Sequence, residues 1–526
     1  MEPSPAPNSS NMTGPNSHSP HTRVADAAPL LLPLDPSSRT PLHRQIYDGV
    51  RAGILAGRFA ASMRLPSTRV LAAELGVARN TVVLAFDQLV AEGYLSTRRG
   101  GGTRVRAAMP DSLMGVRAAR PAARAIRESA PPKSQTPSRV PARWARIMAR
   151  DPEFGARRDG VAAPFTLGMP AVDAFPATLW SRITARRWRN GAVYLGHAAT
   201  AGDVALRNAI AAYVTSARGA RCTPEQIFIV SGAQQALDLA ARVLVEPGDD
   251  VWMEDPGYAG ARAALAGAGA RVIGVPVDEE GMNVGAGERA APNARLAYVT
   301  PSHQFPLGTI MSASRRLALL TWARRVEGWV LEDDYDSEFR YAGRPIPCLQ
   351  GLDAERGDTR RVLYIGTFSK TLAPALRLGY LIVPDELIDA FRVARAIAGG
   401  HAPTTDQGVL ADFIGEGHYV RHVRRVRALC AERQQALLEA AGEEIGSAMQ
   451  LAPDAAGLHM VGWLREGVSD DVAAAAALRE GVDVAPLSRY SARTPARGAL
   501  LLGYAAFDES EIREGVRRLA RALAGA

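Results

Sequence analysis

Lys370 is one of only two lysines in a chain whose Lys and Arg together number 62. Nearly every basic position is filled by Arg, so a retained Lys marks a place where an amine is needed and not merely a positive charge. Arg does not lose its proton in a protein, whereas a desolvated Lys amine can be neutral near physiological pH and attack a carbonyl to form a Schiff base. Lys370 is therefore read as the covalent anchor of an aldehyde cofactor. The plain alternative is a surface lysine with no role.

Other residues have the types and the order that such a cofactor needs. Ser231-Gly232-Ala233-Gln234-Gln235 follows an expected strand at Ile227 to Val230 and opens a helix. There Gly232, Ala233 and Gln234 would offer backbone N–H groups and the positive helix end to a phosphate. Tyr258, in Glu254-Asp255-Pro256-Gly257-Tyr258, could stack on a flat ring, or be an ordinary exposed loop tyrosine. The strand Trp329-Val330-Leu331 runs into Glu332-Asp333-Asp334-Tyr335, where Asp333 would keep a pyridine nitrogen protonated and make the ring an electron sink. Tyr335, two residues on and so on the same side of an extended chain, would hydrogen-bond a phenolic oxygen. Thr367, Ser369 and Arg377 flank Lys370 and would give hydroxyls and a cation to the phosphate. Together these residues describe a site for pyridoxal 5'-phosphate, with Lys370 as its Schiff-base residue.

The elements that must position them can be read from the same sequence. At 526 residues the chain suggests roughly three to four units of about 150 residues, or one large domain with additions. Residues 1–38 are rich in Pro, Ser, Asn and Thr and are expected to form a disordered arm. A regular pattern follows over 39–107, then an Ala/Pro/Arg-rich linker over 108–160. From 161 to 526, short β-rich runs alternate with helical segments, which predicts an α/β domain with a mostly parallel sheet and helices on both faces. Cys222, Cys348 and Cys430 are odd in number and widely spaced, unlike a metal or disulfide framework, and point to a reducing compartment. The apolar stretches, such as Val472 to Leu478, are too short to span a membrane, and no basic run leads into an apolar core at the N-terminus. The expectation is a soluble, cytoplasmic protein.

Within 39–107, Thr40-Pro41 starts a helix carrying Ile46, Val50 and Ile54, and Gly57 ends it. Pro66-Ser67 opens a second helix, Gly76 turns the chain, and a third helix from Arg79 presents Val82, Phe86, Leu89 and Val90. Two helices joined by a tight glycine turn make a helix-turn-helix. Tyr94 to Arg106 then reads as two short strands around a glycine turn, a basic wing. Thr40 to Arg106 holds ten Arg against four acids. Such a balance suits DNA phosphates, while Arg79, Asn80 and Thr81, at the start of the third helix, are placed to read base edges in the major groove. A solvated face of a protein–protein module is the alternative.

The run Leu65-Pro66-Ser67-Thr68-Arg69, with Leu75-Gly76-Val77-Ala78-Arg79-Asn80-Thr81-Val82 and Glu92-Gly93-Tyr94-Leu95, resembles the GntR family of winged-helix repressors. That resemblance implies that Ser67, Arg69, Arg79 and Thr81 face DNA and that Arg99 and Gly100 carry the wing into the minor groove. The later motifs, including Thr300-Pro301-Ser302-His303-Gln304-Phe305-Pro306-Leu307-Gly308 and Pro486-Leu487-Ser488-Arg489-Tyr490, resemble the fold-type I, class I/II aminotransferases. The combination resembles the MocR subfamily of GntR regulators, which implies a head-to-tail homodimer. Departures are visible too. Where the aminotransferases keep an Asn against the cofactor oxygen, this chain has Phe305, and where they keep a carboxylate-binding Arg near the C-terminus it has Leu501. Arg489 is the candidate to replace that cation, a structural surface arginine being the alternative, and Ala375 stands where the motif around the lysine has Gly.

The resulting expectation is a transcriptional regulator that binds a double-stranded DNA operator and senses a small amino-compound, or pyridoxal phosphate itself, at Lys370. A working aminotransferase carrying a DNA-binding module is the second reading. A DNA-binding protein whose large domain is only a dimerisation scaffold is the third.

Overall fold

The computed structural model describes residues 32–38, 40–98, 102–106, 140–150, 162–189, 198–343, 346–357 and 360–525. The chain divides into two units, Met1–Gln135 and Thr136–Ala526.

In the first unit, α1 (Leu42–Leu55), α2 (Thr68–Leu75) and α3 (Arg79–Ala91) precede an antiparallel pair, β1 (Leu95–Arg98) and β2 (Gly102–Val105). Ile46, Val50 and Ile54 recur at helical spacing and are buried in one cluster with Leu71, Val82, Phe86 and Leu89. Ser67 caps α2, its hydroxyl accepting from the Val70 N–H at 3.3 Å. Gly76 ends that helix at φ +66, a left-handed turn that a β-carbon would strain. This is the winged helix-turn-helix the spacing predicts, with small differences. Pro41, not Thr40, is the N-cap of α1 and no side chain caps it, while Val70 of α2 is exposed and Val90 only half-buried.

The expected boundary of the N-terminal arm also moves. Leu32 is buried in the module's core, and the Asp35 N–H donates to Gln45 Oε1 at 2.8 Å. Residues 32–38 are part of the folded module because Leu32 lies over Gly49 of α1, where burial of a leucine outweighs the entropy of ordering its short segment. The rest of the arm and the wing tip with Arg99 and Gly100 lie outside the described residues.

The second unit is built on an eight-stranded sheet of β3 (Ile227–Val230), β4 (Asp250–Asp255), β5 (Arg271–Asp278), β6 (Gly281–Met282), β7 (Leu296–Val299), β8 (Trp329–Asp334), β9 (Val362–Thr367) and β10 (Gly379–Ile382). Their order is β3-β10-β9-β8-β7-β4-β5-β6. From β9 to β5 the neighbours run parallel, whereas β10 is antiparallel to both β3 and β9, and β6 to β5. β3, β7, β8 and β9 are buried along their whole length, as strands covered on both faces must be. A second, four-stranded antiparallel sheet has the order β11 (Met449–Gln450), β12 (His459–Leu464), β14 (Ala499–Gly503), β13 (Ala485–Pro486). Helices His418–Glu444, Asp470–Arg479 and Glu509–Ala524 share a core with it and complete a C-terminal subdomain.

The expected linker is also partly structured. Ala142–Arg150 is a helix of the second unit, and its Trp144 closes over Gly267 at 3.4 Å from where a β-carbon would stand. Among the described residues no helix is long and apolar enough to cross a membrane.

The buried position of Leu32 generates a prediction. Replacing Leu32 by Ala should destabilise the winged module by about 2 kcal/mol, the low end for a core leucine. Thermal melting of the full chain would show it as a lowered first transition, and an unchanged melt would put Leu32 outside the core.

Candidate functional site

Because β4, β7, β8 and β9 are parallel, their carboxyl ends share one edge of the sheet, the usual place for a ligand in such folds. The chain leaves that edge at Asp255, Thr300, Asp334 and Thr367. Lys370 lies three residues beyond β9 and is half-buried, its Nζ donating to the Gly168 carbonyl at 2.6 Å. Burial holds the amine below its ordinary pKa, and the carboxylates of Asp336 and Asp333 oppose that shift. An amine so placed loses its proton more readily than a surface lysine.

Asp333 and Asp334 are adjacent on β8 and so point to opposite faces. Asp334 Oδ2 takes the guanidinium of Arg218 at 2.7 Å and the Tyr364 hydroxyl at 2.6 Å, and Arg218 also donates to Ser302 Oγ at 2.7 Å. Asp333 Oδ2 accepts from the Tyr298 hydroxyl at 2.9 Å. Its other oxygen, Oδ1, is buried with no partner among the described residues, and burial pushes the carboxyl up to about 7. A bare buried acceptor costs about 1–3 kcal/mol. A protonated pyridine nitrogen supplies both the hydrogen bond and the charge this oxygen lacks, so Asp333 fits the ring-nitrogen role. Asp334 Oδ1 is bare as well, but that carboxylate already holds a cation.

The phosphate end fits too. Gly232 is the N-cap of the helix Ala233–Leu244 at φ +90, and a β-carbon there would stand 3.4 Å from the Arg377 guanidinium. Arg377 donates to the Ser231 carbonyl and is itself left-handed at φ +51, a conformation that non-glycine residues keep chiefly where the surroundings demand it. A cation thus faces a helix N-terminus whose cap, at φ +90, has a backbone conformation that favours glycine. Ala233 is in the first turn of that helix, and Gln234 holds the Gly260 carbonyl through its side chain at 3.0 Å. Thr367 is buried and its hydroxyl accepts from the Ser369 N–H at 3.1 Å, closing the turn that carries Lys370.

Aromatic rings form another wall. Phe305 is edge-on to Tyr258, Tyr335 and Tyr490, at centroid distances of 5.7, 6.0 and 5.2 Å. Tyr335 is one residue past the end of β8, so strand alternation does not place it as expected; its hydroxyl lies 3.1 Å from His303 Nδ1 instead. Leu501 is fully buried in an apolar cluster with Leu487 and Ala499. Arg489 lines a groove of about 470 Å³ with Arg143, Arg146, Arg262 and Arg271, whose walls do not include Lys370, Asp333 or Tyr335.

Some supporting residues carry no sequence signal. Tyr298, the partner of Asp333, is 35 residues away in the chain, and Gly168 offers only a carbonyl. Glu254 is buried and pushed up to about 7 by burial, yet accepts from Thr300 Oγ1 at 2.6 Å and Gln304 Nε2 at 3.2 Å, stitching β4 to the loop after β7.

In the first unit Arg79, Asn80 and Arg69 are exposed and Thr81 half-exposed, with Arg79 and Asn80 opening α3. Arg69 and Arg79 form no ion pair among the described residues, so both guanidinium groups are available to phosphate or base.

Residues 42–105 match the gntR family of bacterial regulatory proteins, and residues 191–519 match aminotransferase class I and II. Fold and site therefore define a DNA-binding winged helix joined to an aminotransferase-like domain whose cofactor is pyridoxal phosphate. The chain belongs to the MocR subfamily of GntR-family transcriptional regulators. It is 40% identical to the probable rhizopine catabolism regulatory protein MocR of Rhizobium meliloti, over 94% of this chain and 96% of that one. The pyridoxine biosynthesis regulator PdxR of Corynebacterium glutamicum is 32% identical over 92% and 97% of the two chains. Among solved structures, LysN, the α-aminoadipate aminotransferase of Thermus thermophilus complexed with N-(5'-phosphopyridoxyl)-L-leucine, matches with a TM-score of 0.64 and 33% identity, over 69% of this chain and 92% of that one.

Replacing Lys370 by Ala should abolish the visible absorption of the protein loaded with pyridoxal phosphate while leaving its circular dichroism unchanged. A band of undiminished intensity would remove Lys370 from the covalent role.

Proposed function

We propose that this chain is a ligand-responsive regulator of transcription that reads a small primary amine through pyridoxal phosphate held at Lys370. One observation carries the reading. A half-buried lysine, a half-satisfied buried aspartate and a guanidinium facing a helix N-terminus share one sheet edge, on a chain whose other unit is a DNA-binding module. When bound, the cofactor supplies a carbonyl carbon that an amine can occupy and a ring that withdraws electrons.

This chain's residues do the rest. Asp333 keeps the ring nitrogen protonated, and Gly232, Ala233, Gln234, Thr367, Ser369 and Arg377 hold the phosphate. Tyr258 stacks on the ring, and Tyr335 donates to its phenolic oxygen. Lys370 would be the residue that holds the cofactor carbonyl, and its amine, lowered by burial, would be able to hold or release a proton at Nζ. The effector shifts DNA affinity by as much as its differential affinity for two arrangements of the protein, and no more. Ser67, Arg69, Arg79, Asn80 and Thr81, with Arg99 and Gly100 of the wing, bind the operator, and the protein acts as a head-to-tail homodimer in the cytoplasm.

Two features favour sensing over turnover. Phe305 has no polar atom to offer the cofactor oxygen, and Leu501 offers no cation to a carboxylate. Arg489 remains a candidate for that cation only if its groove communicates with the site. That combination suits an amine without a carboxylate, whose body meets the Phe305, Tyr258 and Tyr335 rings.

Two outcomes are expected. In a titration followed by absorption, primary amines without a carboxylate should shift the visible band at least as well as the matching α-amino acids, and the shift should persist. Bleaching that reverses on adding a keto acid would instead make the chain a working aminotransferase. In operator binding, Arg79→Ala should cost about 1–3 kcal/mol and relax one base position. Unchanged affinity would take Arg79 out of base readout.

A further inference from the structure

His303 lies at the seam between the large sheet and the C-terminal subdomain, and both of its ring nitrogens are engaged. Nδ1 is 2.8 Å from Asp336 Oδ2 and 3.1 Å from the Tyr335 hydroxyl, and Nε2 is 3.2 Å from Asp454 Oδ2. Asp336 follows β8, whereas Asp454 precedes β12 in the other subdomain. The ring is 1% exposed, as is Asp336, but the Asp454 side chain is 23% exposed. Gly308 at φ +78 and Gly457 at φ +98 wrap it; a β-carbon on Gly457 would overlap His303 Cε1, and one on Gly308 would overlap Asp454 Oδ2. The backbone is shaped to let an imidazole reach carboxylates from both sides.

Burial alone would push the imidazole pKa down, but Asp336 and then Asp454 overcome this and hold it at about 10. The remaining neighbour that can titrate, His459, has its ring 5.8 Å away, bonds the Pro306 carbonyl and is held down by burial and by His303 itself. His303 therefore carries hydrogens on both nitrogens near neutrality. Tyr335 keeps its proton, since burial and then the Asp336 carboxylate hold its phenol well above the ordinary value. An imidazolium has no acceptor to offer, so the Tyr335 oxygen can only accept from it, and its own O–H is left for the Asp336 carboxylate, to which Tyr335 also hydrogen-bonds, or for the cofactor.

We propose that His303 is a positioning residue for the Lys370 site: clamped between Asp336 and Asp454, it turns the Tyr335 hydroxyl toward the cofactor and ties that hydroxyl to the C-terminal subdomain. The proposal rests on the cofactor reading above. It gives that reading a physical route by which a change at the cofactor reaches a second subdomain, through one hydroxyl, one imidazolium and one carboxylate.

The test is a double-mutant cycle on the full-length protein loaded with pyridoxal phosphate, read as the pH midpoint at which its visible band changes form. His303→Gln and Tyr335→Phe should each raise the midpoint, by about one pH unit, because each withdraws a donated proton from the cofactor oxygen. The double variant should sit where Tyr335→Phe alone sits, as expected of residues that act through one contact. Additive shifts, or no shift in His303→Gln, would overturn the proposal and leave the cofactor reading standing. If His303→Gln does not fold, Asp454→Asn replaces it: this partly exposed residue holds the imidazolium from outside, and the same non-additivity with Tyr335→Phe is expected. A parent protein with no visible band would overturn the cofactor reading and this proposal with it.

Discussion

The parallel register of β4, β7, β8 and β9 brings four chain exits to one edge of a sheet whose central strands are buried along their length. At that edge the backbone stops pairing with itself, and polar side chains can be placed deep in the protein with a reason to be there. Asp333, Asp336, Glu254 and Lys370 all stand at it or just past it. Burial raises the carboxyls of Asp333 and Glu254 and lowers the amine of Lys370, so these groups lie closer in proton affinity than they would in water. That convergence suits the role proposed for Lys370, as a covalent anchor that can also be displaced.

The edge is held to unequal standards of completeness. Glu254 and Asp334 are bound by Thr300, Gln304, Arg218 and Tyr364 and serve the scaffold. Asp333 keeps one bare oxygen, and Arg377 keeps a left-handed backbone opposite Gly232. Glu254 finds its partners within the chain and Asp334 already holds a cation there, whereas Asp333 has one hydroxyl partner and no cation. Where aminotransferases resembling this chain carry an amide and a guanidinium, Phe305 joins a ring of tyrosines and Leu501 joins an apolar cluster. In the proposed reading the lysine anchor is kept while Leu501 offers no cation to a carboxylate, which separates holding an amine from processing an amino acid.

Much of this was legible in the sequence because it depends on short-range pattern. Strands at Ile227–Val230 and Leu296–Val299 carry continuous apolar runs between turn residues, and their observed bounds coincide with those runs. The helices around Gly76 follow from apolar spacing and one left-handed glycine. Lys370 stood out because the chain uses Arg nearly everywhere else. Long-range complements were not legible. Nothing local joins Tyr298 to Asp333, or His303 to Asp454, which is 151 residues away. Leu32 escaped because its short apolar run over 30–34 is broken by Pro33 and has no helical or strand period, and Trp144 because an apolar residue among arginines looks like linker until its partner is known. Tyr335 was assigned by strand alternation, which ends one residue too soon to place it.

The account turns on Lys370 as the residue that holds the cofactor, and the chain's composition makes this unusually direct to check. With only Lys133 and Lys370 present, borohydride reduction of the protein loaded with pyridoxal phosphate, followed by peptide mass mapping, has two lysines to distinguish. The account predicts a stoichiometric reduced pyridoxyl mark on Lys370, lost when an effector amine is added before the reductant. A mark on Lys133 or the N-terminal amine alone, or none, would contradict it.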